Sequence, residues 1–324
     1  MPNLNNIAIL CSGGDVSGMN AALKRFVEYS IAKGLTPFFV DSGFEGLIDN
    51  KIVQAGYNDV AGIISRGGTK IHSSRSERFM QKEFREQAVE NLKSHDIDAL
   101  IVLGGDGSFK GVQVLFDESD GLSFAGIPAT IDNDIAGTEY ALGVDTALNV
   151  NKCAIDSIRD TASSFSRAFV IETMGRECGY LALVSALTCG AEMCLIPEIP
   201  YDLDNYKKRF TKEIQEGRGY FIAVVSEALK NSEQIVEWFE EEIGVESRLM
   251  VLGHMQRGGN PTVHDRLMAF HFVTHAIDGL LEGNQSSIVC YNHGGFDHKN
   301  IEEVAFRKHH MKEDLLKLGR EFGR

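Results

Sequence analysis

Several groups of residues in this sequence have the types and spacing needed for phosphate chemistry. The run Gly104-Gly105-Asp106-Gly107-Ser108 follows the apolar stretch 99–103, and Ser12-Gly13-Gly14-Asp15 follows the apolar stretch 7–10 in the same manner. Glycines in that position let backbone N–H groups close on a phosphate, and a neighbouring carboxylate is a hard ligand suited to Mg²⁺. Either copy alone would also suit a tight strand-to-helix turn; two copies after two strands point to a polyphosphate. Neither fits G-x-x-x-x-G-K-[ST] or G-x-G-x-x-G, which counts against a Walker-type nucleotide hydrolase and a dinucleotide oxidoreductase.

Beside these loops stands Thr130-Ile131-Asp132-Asn133-Asp134, with two carboxylates two residues apart after the run 124–128. An Asx-rich turn has the same composition. Next to a bound phosphoryl donor, however, one carboxylate can take a proton while the other assists a metal. Arginines recur near the remaining apolar runs: Arg66-Gly67-Gly68, Arg75, Arg167, Arg176, Arg248 and Arg257-Gly258-Gly259, with His254 nearby. The guanidinium fork matches phosphate oxygens bidentately, so as a group they predict a sugar-phosphate pocket.

The elements that must position these groups are legible as alternation. Apolar runs at 7–10, 38–40, 99–103, 169–171 and 221–225 alternate with amphipathic stretches, such as Met19, Leu23, Phe26, Val27 and Ser30 before Gly34. This is the βαβ pattern of a parallel sheet covered on both faces, and ligands bind such sheets outside the carboxyl ends of the strands. A length of 324 residues suits two domains, and six prolines with no Ser-rich tract predict a tight boundary, with 155–166 as the crossover. The expected fold class is α/β: two doubly wound, mainly parallel-sheet domains with a cleft between them.

Lys and Arg number 32 against 46 Asp and Glu, a formal charge of −14, which excludes a broad basic face for nucleic acid or anionic membrane. The longest apolar stretch, 179–201, is interrupted by Glu192 and Glu198, so no membrane span is expected. With no Lys or Arg before Lys24 there is no secretory signal, and a cytoplasmic location is expected. Six cysteines without a C-x-x-C pair predict neither zinc nor a disulfide framework.

Together with Gly18-Met19-Asn20-Ala21-Ala22, Met174-Gly175-Arg176 and Gly253-His254-Met255-Gln256-Arg257-Gly258-Gly259, these motifs resemble the bacterial ATP-dependent 6-phosphofructokinases over nearly the whole chain, in order and approximate spacing. The resemblance implies two doubly wound domains, 1–144 plus 261–310 for ATP and 145–260 plus 311–324 for fructose 6-phosphate. It implies transfer of the γ-phosphoryl of MgATP to the sugar's 1-hydroxyl. By motif, Asp132 is the base, with Thr130 and Arg176 also catalytic, and Asp106 is the Mg²⁺ ligand. Gly14, Arg75, Ser76, Gly105, Asp106, Gly107 and Ser108 hold ATP. Thr130, Ile131, Asp132, Met174, Gly175, Arg176, Glu227, His254, Met255, Gln256 and Arg257 hold the sugar phosphate. Arg167 and Arg248 are implied to reach the 6-phosphate from a neighbouring subunit of a homotetramer.

Some positions depart from the family pattern. Ala129 stands where Gly is usual, Lys24 and Glu28 where the effector site has basic residues, and the segment 216–220 is poor in Lys although Arg159 and Glu192 remain. Weak or absent regulation by ADP or phosphoenolpyruvate is therefore expected. Pyrophosphate-dependent relatives carry an Asp and a Lys where this chain has Gly107 and Ala129, which favours ATP as donor. A diacylglycerol- or NAD-kinase-like enzyme shares the Gly-Gly-Asp-Gly turn but leaves the arginines and 130–134 unexplained. A catalytically idle sensor leaves Asp106, Asp132 and Arg176 unexplained.

Overall fold

The computed structural model describes residues 4–119 and 121–323. In chain order its strands are β1 (Asn6–Cys11), β2 (Thr36–Val40), β3 (Ile52–Gln54), β4 (Ala99–Gly104), β5 (Ser123–Pro128), β6 (Ala168–Thr173), β7 (Met193–Leu195), β8 (Phe221–Ser226), β9 (Ser247–Val251), β10 (Ser286–Asn292) and β11 (Gly295–Asn300). The chain forms two compact units: the residues up to Thr146 with Arg257–His309, and Ala147–Gln256 with the residues from His310 on.

In the first unit the strand order is β11-β10-β5-β4-β1-β2-β3. The central pairs are parallel, while β2 with β3 and β10 with β11 are antiparallel. β4 is buried at all six positions because helices cover both faces, which is why its sequence reads as an unbroken apolar run. The chain goes from β1 to β2 on one side and returns to β4 on the other, so the carboxyl ends of β1 and β4 sit where the winding reverses.

The second unit has four parallel strands in the order β7-β8-β6-β9. Alternation along β8 divides its core in two. Ile222 and Val224 pack with Ile171, Ala182 and Leu183, whereas Phe221, Ala223 and Val225 pack with Phe210 and Phe239 on the opposite face. The helix after β6 (Tyr180–Cys189) covers one face and the helix after β8 (Ser232–Trp238) the other, so the winding reverses between these neighbouring strands.

The division falls at 146/147, 256/257 and 309/310, against expected boundaries of 144/145, 260/261 and 310/311. The 257–260 segment goes with the first unit for a visible reason: Ser17 Oγ donates to the carbonyls of Gly258 and Gly259 at 3.2 and 2.8 Å. The crossover helix is Val144–Phe165, longer at its start than the 155–166 read from sequence. The edge strands β3, β7, β9 and β11, and β10 beside β11, were not among the expected runs.

Candidate active site

The first unit brings two glycine-rich loops together at the carboxyl ends of β1 and β4. β1 delivers Ser12-Gly13-Gly14-Asp15, and the segment 73–76 lies alongside it: Gly13 N–H donates to Ser74 O at 3.2 Å and Ser73 Oγ to Gly13 O at 2.8 Å. β4 delivers Gly105 as the N-cap of the helix Asp106–Asp117, so that Asp106 and Ser108 sit in its first turn, where free N–H groups and the helix dipole favour anions. The two loops are joined by Ser108 Oγ donating to Ser12 Oγ at 2.8 Å. A Cβ on Gly104 would lie 2.5 Å from Ser108 Oγ, so this close approach requires glycine. Gly107 faces open space.

The third loop, after β5, brings Thr130, Ile131 and Asp132 to the same end of the sheet. A Cβ on Gly105 would make ordinary van der Waals contact with Thr130 Cβ at 3.7 Å, so the glycine loop and the carboxylate loop are neighbours. Asp132 is 1% exposed, and its N–H lies 3.3 Å from Thr130 Oγ1. Asn133 is held at φ +51 by two side-chain bonds across the loop, Nδ2 to Glu139 O at 3.2 Å and Oδ1 from Ala141 N–H at 2.9 Å. Asn is among the few residues that tolerate this left-handed geometry.

Arg75 is exposed beside these loops, and Ser76 bonds Glu45, whose carboxyl is held below its ordinary value by Arg78 and Ser76. Arg257 lies over the first loop: a Cβ on Gly14 would fall 1.8 Å from its Nη1, which is 3.5 Å from Asp15 O. Asp106 pairs with Lys110 at 2.7 Å, one turn along its helix. Its carboxylate at a glycine loop suits Mg²⁺, which takes one or two protein carboxylates together with water and substrate phosphates.

The second unit builds its site from side chains. After β6 the chain turns at Gly175 (φ +147) and Arg176 (φ +52), and a Cβ on Gly175 would lie 2.2 Å from Cys178 O, so only glycine fits. Glu227, at the end of β8, accepts the N–H groups of Gly175 and Arg176 at 3.0 and 2.8 Å. Gln256, buried after β9, accepts Met174 N–H at 3.3 Å, while His254 and Met255 are exposed on the same short helix. Met174, Gly175, Arg176, Glu227 and Gln256 thus meet at the carboxyl end of the sheet.

Arg167 and Arg248 do not meet them. Arg167 precedes β6 and Arg248 is the second residue of β9, and both bind Glu246, Arg167 Nε at 2.7 Å. They occupy the amino end of the strands. At about 3.3 Å per residue, the length of β6 puts them roughly 20 Å from the 174–176 turn, beyond the reach of one arginine side chain.

Sequence reading missed Asp265, Ser17, Asn20 and Glu45 as organisers of these loops. Asn20 Nδ2 donates to Arg66 O and Gly67 O, both at 3.1 Å. The pattern Thr262-x-x-Asp265 marks a helix start. Nothing local in it reveals the distant groups that Asp265 holds.

Two α/β units whose strand ends carry glycine phosphate loops, a buried carboxylate and guanidinium groups define a phosphotransferase of the sugar-kinase kind. The chain belongs to the phosphofructokinase family: the family model described as phosphofructokinase matches residues 6–280. It is 72% identical to a protein named ATP-dependent 6-phosphofructokinase from Sulfurovum sp. (strain NBC37-1), over 98% of each chain. It is 62% identical to one of the same name from Sulfurimonas denitrificans, over 98% of this chain and 100% of that one. Among solved structures, phosphofructokinase from Saccharomyces cerevisiae superposes with a TM-score of 0.86 at 30% identity, covering 92% of this chain and 44% of that one. A pyrophosphate-dependent phosphofructokinase from Marinobacter aquaeolei shares the fold, with a TM-score of 0.85 at 19% identity, over 99% of this chain and 92% of that one.

Proposed function

We infer that this chain is an ATP-dependent 6-phosphofructokinase, transferring the γ-phosphoryl of ATP to the 1-hydroxyl of fructose 6-phosphate to give fructose 1,6-bisphosphate and ADP. The observation that carries the chemistry is the meeting of three loops at one sheet end: Ser12 and Ser108 bonded at 2.8 Å, and the Asp132 loop against Gly105. Phosphoryl transfer runs through a loose transition state and needs mainly positioning and charge stabilisation. Gly14 and residues 105–108 hold the donor phosphates, with Arg75 and Ser76 beside them. Asp132 takes the proton of the 1-hydroxyl as the oxygen attacks phosphorus. Arg176 offsets the charge on the transferred group. Mg²⁺, held by Asp106, supplies charge neutralisation of the donor phosphates when bound.

The turn fixed by Glu227 and Gln256 would present Met174, Gly175 and Arg176 to the sugar, while Thr130 would bind it from the loop after β5 and His254 and Arg257 would bind its 6-phosphate. Arg167 and Arg248, at the amino end of their own sheet, would serve a second copy, so the acceptor pocket is completed in a homo-oligomer, a tetramer by family resemblance. The enzyme would work in the cytoplasm, where both phosphorylated substrates are made. A coupled assay for fructose 1,6-bisphosphate with ATP and Mg²⁺ tests this reading. Faster turnover with pyrophosphate than with ATP at equal Mg²⁺ would overturn the donor assignment, and no product with either would overturn the activity.

A further inference from the structure

We propose that Asp265, with Tyr140, is a positioning residue that holds the Asp132 loop in register with the Gly13-Gly14 phosphate loop. The proposal rests on Asp132 being the base. Asp265 lies in the first turn of the helix Val263–Glu282 and is fully buried. A buried carboxylate is costly unless every oxygen is satisfied. Here four donors converge on it: Tyr140 Oη at 2.6 Å and Gly143 N–H at 2.8 Å on Oδ1, Thr146 N–H at 2.8 Å and Thr146 Oγ1 at 2.5 Å on Oδ2. Burial pushes its carboxyl above the ordinary value, while the bonds from Thr146, Tyr140 and Gly143 oppose that shift.

All of those donors belong to the segment 140–146, and that segment touches the base loop and the residues directly after the phosphate loop. On one side it pairs with the strand leading to the base: Leu142 N–H donates to Pro128 O at 2.8 Å, and Ala129 and Leu142 form an isolated parallel bridge. Ala141 N–H also binds Asn133, the neighbour of Asp132. On the other side it abuts Val16 and Gly18, directly after the phosphate loop. A Cβ on Gly18 would lie 2.8 Å from Leu142 Cδ1, and one on Gly143 would lie 2.6 Å from Val16 Cβ. The segment is therefore a spacer between the base and the phosphate cradle, and Asp265 is the post to which it is tied.

The tie is reinforced at the helix start. Thr262 caps the helix by accepting Asp265 N–H at 3.2 Å, and its Oγ1 donates to Asp145 at 2.6 Å. Thr262 N–H in turn donates to Thr146 Oγ1 at 3.1 Å. Two loops are thus referenced to one buried carboxylate more than a hundred residues away in sequence.

Tyr140→Phe removes one donor and no bulk, so it loosens the tie without emptying the site. We expect turnover to fall about 3- to 10-fold, with the KM values for ATP and fructose 6-phosphate each within about 2-fold, because a misplaced base costs the chemical step more than binding. The deciding measurement is a double-mutant cycle with Asp132→Ser. If Asp265 and Tyr140 act through Asp132, Tyr140→Phe adds no further loss to Asp132→Ser, whereas an independent effect repeats the same factor. An equal loss in both backgrounds, or no loss in the native background, overturns the proposal. Near-normal turnover of Asp132→Ser itself would instead overturn the base assignment. Asp265→Asn checks the same point if it folds: its loss in turnover should likewise vanish in the Asp132→Ser background, and a loss carried mainly by thermal stability would contradict the positioning role.

Discussion

The carboxyl ends of the two sheets solve different recognition problems by different means. In the first unit the candidate site is built on glycine loops: Gly13 and Gly14 follow β1, Gly104 and Gly105 end β4, and Ser12 and Ser108 lock the two loops together. In the second unit the backbone turn at Gly175 and Arg176 is itself held by side chains, Glu227 and Gln256. In the proposed reading the donor site draws on this chain alone. The second has a turn and an anchor at one end and its spare pair of arginines, Arg167 and Arg248, at the other. A polyphosphate donor common to many enzymes can be met by generic N–H groups, whereas a particular sugar phosphate needs convergent side chains, and a second copy of the chain is an economical source of them.

Substitutions in the two units should separate cleanly in kinetics. Asp132→Ser is expected to have the largest effect, lowering turnover by about 10² to 10⁴ with fructose 6-phosphate affinity little changed, as removal of a general base does. Steady-state kinetics in both substrates checks this, and near-normal turnover would return 130–134 to a simple turn. Gly175→Ala should act on the other unit. Its Cβ would meet Cys178 O at 2.2 Å in a backbone region that L residues avoid, so the turn must shift. We expect the KM for fructose 6-phosphate to rise about 10-fold or more while that for ATP stays within about 2-fold. Equal changes in both would erase the distinction between the units.

A smaller effect concerns pH. Glu45, which holds Ser76 beside the phosphate loop, has its carboxyl lowered chiefly by Arg78. A depressed carboxylate contributes stability that is fully present above its unfolded value, ordinarily 4.5, and lost as pH falls through the lower folded value. The difference in stability between the native chain and Glu45→Gln should therefore be constant near neutrality and shrink only below about pH 4.5, as measured by denaturation across pH. A difference that persists unchanged at low pH would remove Arg78 as the cause.

Much of this contrast was legible in the sequence because it rests on local signals. The runs 7–10, 99–103 and 221–225 read as buried strands since each is covered on both faces, and glycine motifs directly follow the first two. β3 and β7 are three residues long, and the edge strand β11 reads Gly-Phe-Asp-His-Lys-Asn, too polar for a run. Arg257 was expected with the 145–260 domain by the family resemblance; Ser17 holds its neighbours in the first unit through bonds spanning more than two hundred residues. Asp265 was illegible for the same reason. A polar residue early in an amphipathic helix looks solvated until its distant donors are seen.

The most direct test of a one-chain donor site and a two-chain acceptor site is complementation. Arg257→Ala and Arg248→Ala proteins, each inactive alone at moderate fructose 6-phosphate, are mixed under conditions that exchange subunits, and activity is followed as hybrids form. If Arg248 serves a neighbour's pocket, hybrids contain some sites with both arginines intact, and activity should reappear with the low fructose 6-phosphate KM of the native enzyme. No recovery after confirmed subunit exchange would place both arginines in one chain's pocket and contradict the account.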